Sequence, residues 1–258
     1  MWSLLLPLGL LSPAGAAPLA IPAGSLQQGS QGPPDEHPRT VQLSAFRIDA
    51  TEVSIADYEA FVAEGGYANA AWWSEAGNRW RAEHPTGAGA DHRAAGRTAD
   101  HPVVAVTFYE AEAYCRSRGG ALPTEAQWER AACGEGGRRF PWGDREDVDA
   151  AWYAEGKFGH LGSVHTRPVT QADASLQSPS GALHMAGNVW EWTADWYHRD
   201  AYRQGSTTDP TGPASGTWKT LRGGSYMNLA SYCTCSHREP ARPERVAYTT
   251  GFRCAYSP

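Results

Sequence analysis

The last third of the chain carries the residues best suited to chemistry. They lie in three motifs: GNVWEW at 187–192, LRGGSYM at 221–227 and GFRC at 251–254. An indole buries a large apolar area and still donates one hydrogen bond, so tryptophan-rich segments build either cores or the walls of ligand sites. Both interpretations stay open for the three tryptophans of this region, Trp190, Trp192 and Trp196.

The two glycines before Ser225 predict a constrained turn. Glycine adopts positive φ at low cost and lets a neighbouring backbone approach closely. The sequence GGSY therefore places Ser225 and Tyr226 on a turn beside a strand, where we expect the serine hydroxyl to be exposed.

Five cysteines leave at least one outside any internal disulfide, because the count is odd. They are Cys115, Cys133, Cys233, Cys235 and Cys254. The sequence lacks the motifs of three other kinds of site. It has no H-E-x-x-H zinc motif, no phosphate-binding glycine loop with Lys and Ser or Thr, and no G-x-S-x-G nucleophile motif. The net charge of −6 without a basic run gives no reason to expect nucleic acid or an anionic membrane as a partner.

The first residues predict export. An apolar run at 4–11 precedes small residues at 14–17, as in a signal peptide with cleavage near Ala16 or Ala17. The run is too short to span a bilayer. Lys and Arg are missing before it, so a misplaced start or a simple apolar tail stays an alternative. We expect a signal peptide at 1–17, one mature domain at 18–258, and a secreted or periplasmic protein.

Three helices are predicted from their N-caps. Ser54 precedes 55–63, Thr107 precedes 108–117, and Thr124 precedes 125–132 with Gln127 completing a capping box. The segment 72–100 has few aliphatic residues and reads as a long insertion loop. Abundant Gly and Pro, with few long helical periods, predict that irregular loops dominate the domain.

The motifs resemble the sulfatase-modifying-factor family, whose founding member is the formylglycine-generating enzyme and whose fold is related to C-type lectins. Besides the three C-terminal motifs, the resemblance covers FRIDATEVSIADYEAFV, HPVVAVTFYEAEAYC and LPTEAQWERAA, and thus nearly the whole mature chain. It implies the α+β fold of that family in a single domain.

The resemblance also implies two disulfides. Cys115 and Cys254 match one bridge of the family position for position. Cys235 matches a second structural cysteine, whose partner would be Cys133, displaced by one residue. Cys233 would then lie outside both bridges.

In the copper enzymes of this family two cysteines after GGS bind copper(I), which prefers thiolates. The matching residues here are Asn228 and Cys233, and an amide cannot replace a thiolate, so copper is not expected. Cys233 is the candidate catalytic residue as a redox-active thiol. Two alternatives stay open: an inert buried thiol, and a Cys233–Cys235 ligand pair.

One family calcium site maps to Gly187, Val189 and Glu191, with His184 replacing an asparagine oxygen. Calcium prefers oxygen ligands, so only a weak site is expected there. The second family site falls near Trp152, Leu161 and Ser163 and lacks its carboxylate.

Two functions are consistent with the resemblance. The first is an exported oxidative maturation factor that acts on a peptide or protein substrate by chemistry other than copper-dependent formylglycine formation. The second is a non-catalytic module that binds a peptide or other ligand. Both use a groove whose residues the resemblance assigns as Trp190, Ser225, Asn228, Tyr232 and Arg238.

Overall fold

The computed structural model describes residues 17–146, 166–171 and 177–258. Two parts of the sequence predictions lie outside these ranges: residues 1–16 of the predicted signal peptide, and Trp152, Leu161 and Ser163, where a calcium site is not expected. Within them, five α-helices occur: α1 (Ile55–Ala63), α2 (Glu75–Glu83), α3 (Phe108–Ser117), α4 (Glu125–Cys133) and α5 (Ala201–Gln204). None of these helices is long and apolar enough to cross a membrane.

The strands of the described ranges form three small sheets. They are β1 (Leu19–Ile21), β2 (Gly24–Gln28), β3 (Arg39–Leu43), β4 (Phe46–Ile48), β5 (Trp190–Trp196), β6 (Lys219–Arg222), β7 (Glu239–Ala241), β8 (Thr250–Gly251) and β9 (Ala255–Tyr256). The sheet orders are β1-β4-β9, β2-β3 and β7-β6-β5-β8. Short strands and few helices confirm the predicted loop-rich α+β class.

The three predicted helices begin at their predicted caps. The side chains of Ser54, Thr107 and Thr124 each accept a backbone N–H, and both threonines form full capping boxes. The helix α4 ends at Cys133, one residue beyond the prediction.

The prediction of a continuous loop at 72–100 is wrong, because this segment contains α2. Ser74 caps this helix by accepting the N–H of Gly77. The helix is held by stacked aromatic rings, with Trp80 lying 6.0 Å from Trp73 and 4.5 Å from His84 between ring centroids. Aromatic packing thus replaces the aliphatic face on which the prediction depended.

The four-stranded sheet carries the tryptophan motif. In its antiparallel register Glu191 lies opposite Arg222 and Trp192 opposite Leu221, while β8 pairs with β5 in parallel. Trp192 is fully buried, and its indole N–H donates to the Val106 carbonyl. Trp192 is therefore a member of the core, as one of the two interpretations had it.

Candidate functional site

Both predicted disulfides are present. Cys115 at the end of α3 is joined to Cys254, with Cα atoms 5.5 Å apart. Cys133 at the end of α4 is joined to Cys235, with Cα atoms 6.2 Å apart. The second bridge ties α4 to the segment after the GGS turn, so it fixes the position of the candidate site residues.

Glu191 points into the interior and is paired there. Its carboxylate accepts two hydrogen bonds from Arg253, both at 2.7 Å, and one from the Trp128 indole at 2.8 Å. All three residues are fully buried. The neighbouring Arg253 neutralises this carboxylate, which removes the charge that a calcium ion would need.

The predicted calcium donors do not fit that ion in this arrangement. His184 offers a ring nitrogen, Nε2, that is buried without a hydrogen-bond partner, and burial holds the pKa of this imidazole near 4, so it is neutral. With Glu191 paired to Arg253, the remaining donors are the carbonyls of Gly187 and Val189. Calcium binding at this position stays a prediction.

The GGS turn has the predicted backbone, with φ of +90° at Gly223 and +72° at Gly224. The expectation of an exposed Ser225 hydroxyl is wrong. Ser225 is fully buried, and its Oγ donates to Asn228 Oδ1 at 2.6 Å, while its backbone N–H donates to the same oxygen at 3.1 Å. The Ser225 and Asn228 side chains therefore stabilise the turn, and their assignment to ligand binding stays a prediction.

Cys233 lies outside both disulfides and is fully buried. It packs with Phe140, Ala186 and Ala230 in a small apolar cluster. Its Sγ lies so close to the turn that a Cβ added at Gly224 would be 2.3 Å away.

Asn228 and Cys233 do not fit a copper(I) pair. The side-chain oxygen of Asn228, Oδ1, already accepts two hydrogen bonds from Ser225 in the turn, and copper(I) prefers two soft sulfur ligands.

Arg238 is also directed inward. Its guanidinium forms two hydrogen bonds of 2.7 Å with Glu125 and donates to the carbonyls of Asp35 and His198. The side chain is fully buried, so the guanidinium that was assigned to a ligand holds together α4 and the N-terminal segment.

Trp190 and Tyr232, by contrast, are brought together by a residue that sequence reasoning missed. The imidazole of His237 lies 5.7 Å from the Trp190 ring and 5.1 Å from the Tyr232 ring, between centroids. Tyr232 is 41% exposed, whereas Trp190 is 4% exposed. We call these three side chains the ring cluster.

His237 is held between two carboxylates. Its Nδ1 lies 3.6 Å from Glu36, and its Nε2 lies 3.8 Å from Glu239. Burial lowers the pKa of the imidazole, but Glu239 and Glu36 outweigh that effect, so the pKa lies above its usual value. The only sequence signal for this arrangement was Glu239, two residues after the histidine.

A cavity of about 670 Å³ opens beside His237. Its walls come from segments 27–38, 137–144 and 231–237. Ser231, Thr234, Arg138 and Glu36 line it together with His237. The ring cluster and this cavity form the candidate ligand site of the described chain.

The fold and these motifs define a class of protein, and the comparison with family models agrees. Residues 12–258 match the model of the "Sulfatase-modifying factor enzyme 1-like domain". The chain therefore belongs to the sulfatase-modifying factor family.

Similar curated proteins include a formylglycine-generating enzyme and a hercynine oxygenase. The formylglycine-generating enzyme of Streptomyces coelicolor is 36% identical, over 84% of this chain and 79% of the relative. The hercynine oxygenase of Mycolicibacterium thermoresistibile is 35% identical, over 84% of this chain and 52% of the relative.

Solved structures of similar shape include Treponema denticola variable protein 1, with a TM-score of 0.72, 26% identity, and coverage of 93% of this chain and 95% of that one. PvdO from Pseudomonas aeruginosa has a TM-score of 0.70, 20% identity and 93% coverage of each chain, which supports the shared fold alone.

Proposed function

We propose that this protein is an exported member of the family that binds a peptide or protein ligand at the ring cluster and the adjoining cavity. The single observation that carries the proposal is the joining of Tyr232, His237 and Trp190 into one partly exposed aromatic surface beside a cavity of about 670 Å³. Aromatic rings offer large contact area with few rotatable bonds, which suits the recognition of an extended peptide.

Panning of a random dodecapeptide phage library against the purified protein tests this function. Selected peptides should lose at least about tenfold in affinity with Tyr232→Ala, the scale of one hot-spot ring. Tyr248→Ala is the matched control, because Tyr248 is exposed to 42% against 41% for Tyr232 and lies outside the ring cluster. Failure to enrich any peptide, or equal losses in the two variants, would refute the proposal.

Oxidative maturation of the bound ligand is the second candidate function. It is favoured by the relatives named formylglycine-generating enzyme and hercynine oxygenase, and by the position of Cys233 directly after Tyr232. The buried sulfur and the Asn228 turn argue against the copper form of this chemistry.

Incubation with copper, a reductant and a Cys-x-Pro-x-Arg peptide should therefore give no aldehyde at ordinary enzymatic rates. Mass spectrometry of the peptide measures the product, with the Streptomyces relative as the positive control. Rapid aldehyde formation that Cys233→Ala abolishes would show that the copper site forms after all.

Export is the third part of the proposal. Two disulfides are typical of proteins that fold in an oxidising compartment, and both are buried here. N-terminal sequencing of the protein recovered from its native host should start near residue 18. An intact Met1 on a reduced cytosolic protein would contradict this part alone.

A further inference from the structure

The imidazole of His237 faces two carboxylates that belong to different segments of the chain. Its Nδ1 lies 3.6 Å from Glu36 Oε1, and its Nε2 lies 3.8 Å from Glu239 Oε2. Glu36 ends the short 3₁₀ helix Pro34–Glu36, whereas Glu239 begins β7. A neutral imidazole has one N–H and one lone pair, but the imidazolium has two N–H groups. The protonated ring alone can therefore interact favourably with both carboxylates at once.

The other side chains around this imidazole do not supply a competing charge. Trp190 and Tyr232 contribute aromatic rings, and the neighbouring Arg238 is directed to Glu125 in the interior. The remaining charged residues that line the adjoining cavity belong to the segment 137–144 and are Arg138, Arg139 and Asp144. Glu36 and Glu239 are thus the charged groups that approach the two ring nitrogens.

The directions of two pKa shifts agree with an ion pair at this position. Burial lowers the pKa of His237, but Glu239 and Glu36 raise it by more, so it lies above the usual 6.5. Burial raises the pKa of Glu36, but the interactions with His237, Ser236 and Ser30 lower it by more, so it lies below the usual 4.5. Because the histidine pKa is raised by folding, the interaction is complete below about pH 6.5 and is lost as the pH rises through the pKa of the folded state.

Loss of the proton affects the two carboxylates unequally. The Glu36 side chain is 4% exposed, so an oxygen left without a partner there is costly. The Glu239 side chain is 35% exposed, so water can solvate it. We therefore expect the remaining N–H at Nδ1, towards Glu36, and the lone pair at Nε2, towards Glu239. That lone pair repels Glu239, which then turns to the solvent.

We propose that Glu36, His237 and Glu239 form a pH-sensitive clamp of the ligand site, which is closed when the ring is protonated and released at Glu239 when the proton is lost. The inference rests on the ligand-binding function proposed above and adds its regulation. The ring of His237 contacts both Trp190 and Tyr232, so release of the clamp changes the aromatic surface on which the ligand packs. Ligand binding is then strong at acidic pH and weaker at alkaline pH.

An NMR titration of the ligand-free protein tests the clamp without any peptide. The ring signals of His237, identified by their absence in His237→Gln, are followed from about pH 5 to about pH 9, the range in which histidine changes charge. We expect a midpoint above 6.5, the usual pKa of histidine. Overhauser contacts between the His237 and Tyr232 rings should be strong at the acidic end and should weaken as the proton is lost. The Trp192 indole, which is fully buried in the core, verifies that the fold stays intact.

Glu239→Gln removes one charge of the clamp with little change in shape. It should lower the midpoint by about 0.5 pH unit or more, because a nearby opposite charge favours the protonated ring. Glu244→Gln is the matched control, since Glu244 is an exposed carboxylate of the same C-terminal segment that accepts a hydrogen bond from Tyr109. A midpoint at or below 6.5, an equal midpoint in the parent and Glu239→Gln, or ring contacts that do not change with pH would each overturn the clamp.

Peptides selected by panning at about pH 6 measure the effect on the ligand site. Their affinity should fall by at least about fivefold from about pH 6 to about pH 8.5, the lower end of typical coupling between two binding sites. In His237→Gln the ring charge is absent at every pH, so this fall should disappear, whereas Glu244→Gln should keep it. Glu239→Gln should move the midpoint of the fall to lower pH together with the NMR midpoint, which keeps the test decisive if His237→Gln does not fold.

The failures of the two proposals are separable. If panning yields no peptide, the peptide function fails, while the NMR titration still decides whether the clamp forms. If selected peptides bind with equal affinity at the two pH values, the peptide function stands and the regulation by His237 is overturned.

Discussion

At the scale of single residues, several side chains assigned to a ligand site have hydrogen-bond partners within the protein. Ser225 and Asn228 bond to each other across the GGS turn, and Arg238 is paired with Glu125. Removal of one partner of such a buried ion pair strongly destabilises the fold, because the remaining charge is left buried without compensation. In the proposed function, Tyr232 and His237 are the residues that contact the ligand.

Gly224→Ala should destabilise the fold more than a positive φ alone explains. A non-glycine residue at positive φ costs about 1–2 kcal/mol. The added methyl group would also lie 2.3 Å from Cys233 Sγ, an overlap that costs about 1–3 kcal/mol more. Urea denaturation measures the difference. Gly119→Ala is the control, with φ of +75° and open space around the added atom, and equal losses in both variants would contradict the contact with sulfur.

Ser225→Ala should cost about 1–2 kcal/mol of folding free energy, because it removes a buried hydrogen bond while the backbone N–H keeps its bond to Asn228. Trp192→Ala should cost about 3–5 kcal/mol, as expected for a fully buried indole. Thermal and urea melts compare the two. A Ser225 variant as stable as the parent would mean that the turn does not depend on the hydroxyl.

At the scale of elements, the disulfides attach α3 and α4 to the C-terminal third. The Cys115–Cys254 bridge closes a separation of 139 residues, which the chain-entropy model values at about 5 kcal/mol. Alkylation under non-reducing conditions should modify Cys233 alone, and only after denaturation, because its side chain is fully buried. Mass spectrometry locates the label, and a linked peptide that contains Cys233 would refute this pairing.

The elements that could be predicted from sequence are those with strong local signals. The caps Ser54, Thr107 and Thr124 each satisfy a backbone donor at a helix start, and this requirement is local. The helix α2 could not be predicted in this way. It is stabilised by the stacking of Trp80 on the rings of Trp73 and His84, and a search for periodic aliphatic residues does not detect such contacts.

The candidate site was predictable only in part, because much of it depends on contacts between residues that are distant in sequence. Trp190 lies in the GNVWEW motif, and the family resemblance assigned both Trp190 and Tyr232 to one groove. The orientation of Ser225 and Arg238 depends on partners far along the chain, such as Glu125, which is 113 positions from Arg238. His237 belongs to no motif, and its role depends on Glu36, which is distant in sequence but lies 3.6 Å from it in space.

At the scale of the whole molecule, buried carboxyl groups should make stability fall as the pH rises. Glu52 is buried, and its Oε2 has no hydrogen-bond partner. Burial and the neighbouring Glu191 raise the pKa of the Glu52 carboxyl to about 8 against the stabilising effect of Arg253. Burial likewise raises the pKa of Asp195 to about 7, with a contribution from Glu125.

The sign follows from proton binding. A carboxyl whose pKa is raised in the folded state binds its proton more tightly there than in the unfolded chain. The contribution of Glu52 to the free energy of unfolding therefore falls as the pH rises from about 4.5 to about 8. His184 acts in the opposite direction: its folded pKa of about 4 lies below the usual 6.5, so its contribution becomes more favourable with rising pH in that lower window. Between about pH 6.5 and 8 the carboxyl effect remains.

Glu52→Gln should therefore raise the melting temperature more at pH 8 than at pH 5. The amide keeps an oxygen for the Asn188 side chain, which donates to Glu52 Oε1 at 2.9 Å, and it removes the buried charge. A gain of 1 kcal/mol corresponds to about 2–4 °C for a domain of this size. Glu59→Gln is the surface control, because the hydrogen bond from Arg93 lowers the pKa of Glu59 and its variant should show no gain at pH 8. Melting curves of both variants at the two pH values decide the matter: a gain for Glu52→Gln that is equal at pH 5 and pH 8 would show that the Glu52 carboxyl does not change its charge in this range.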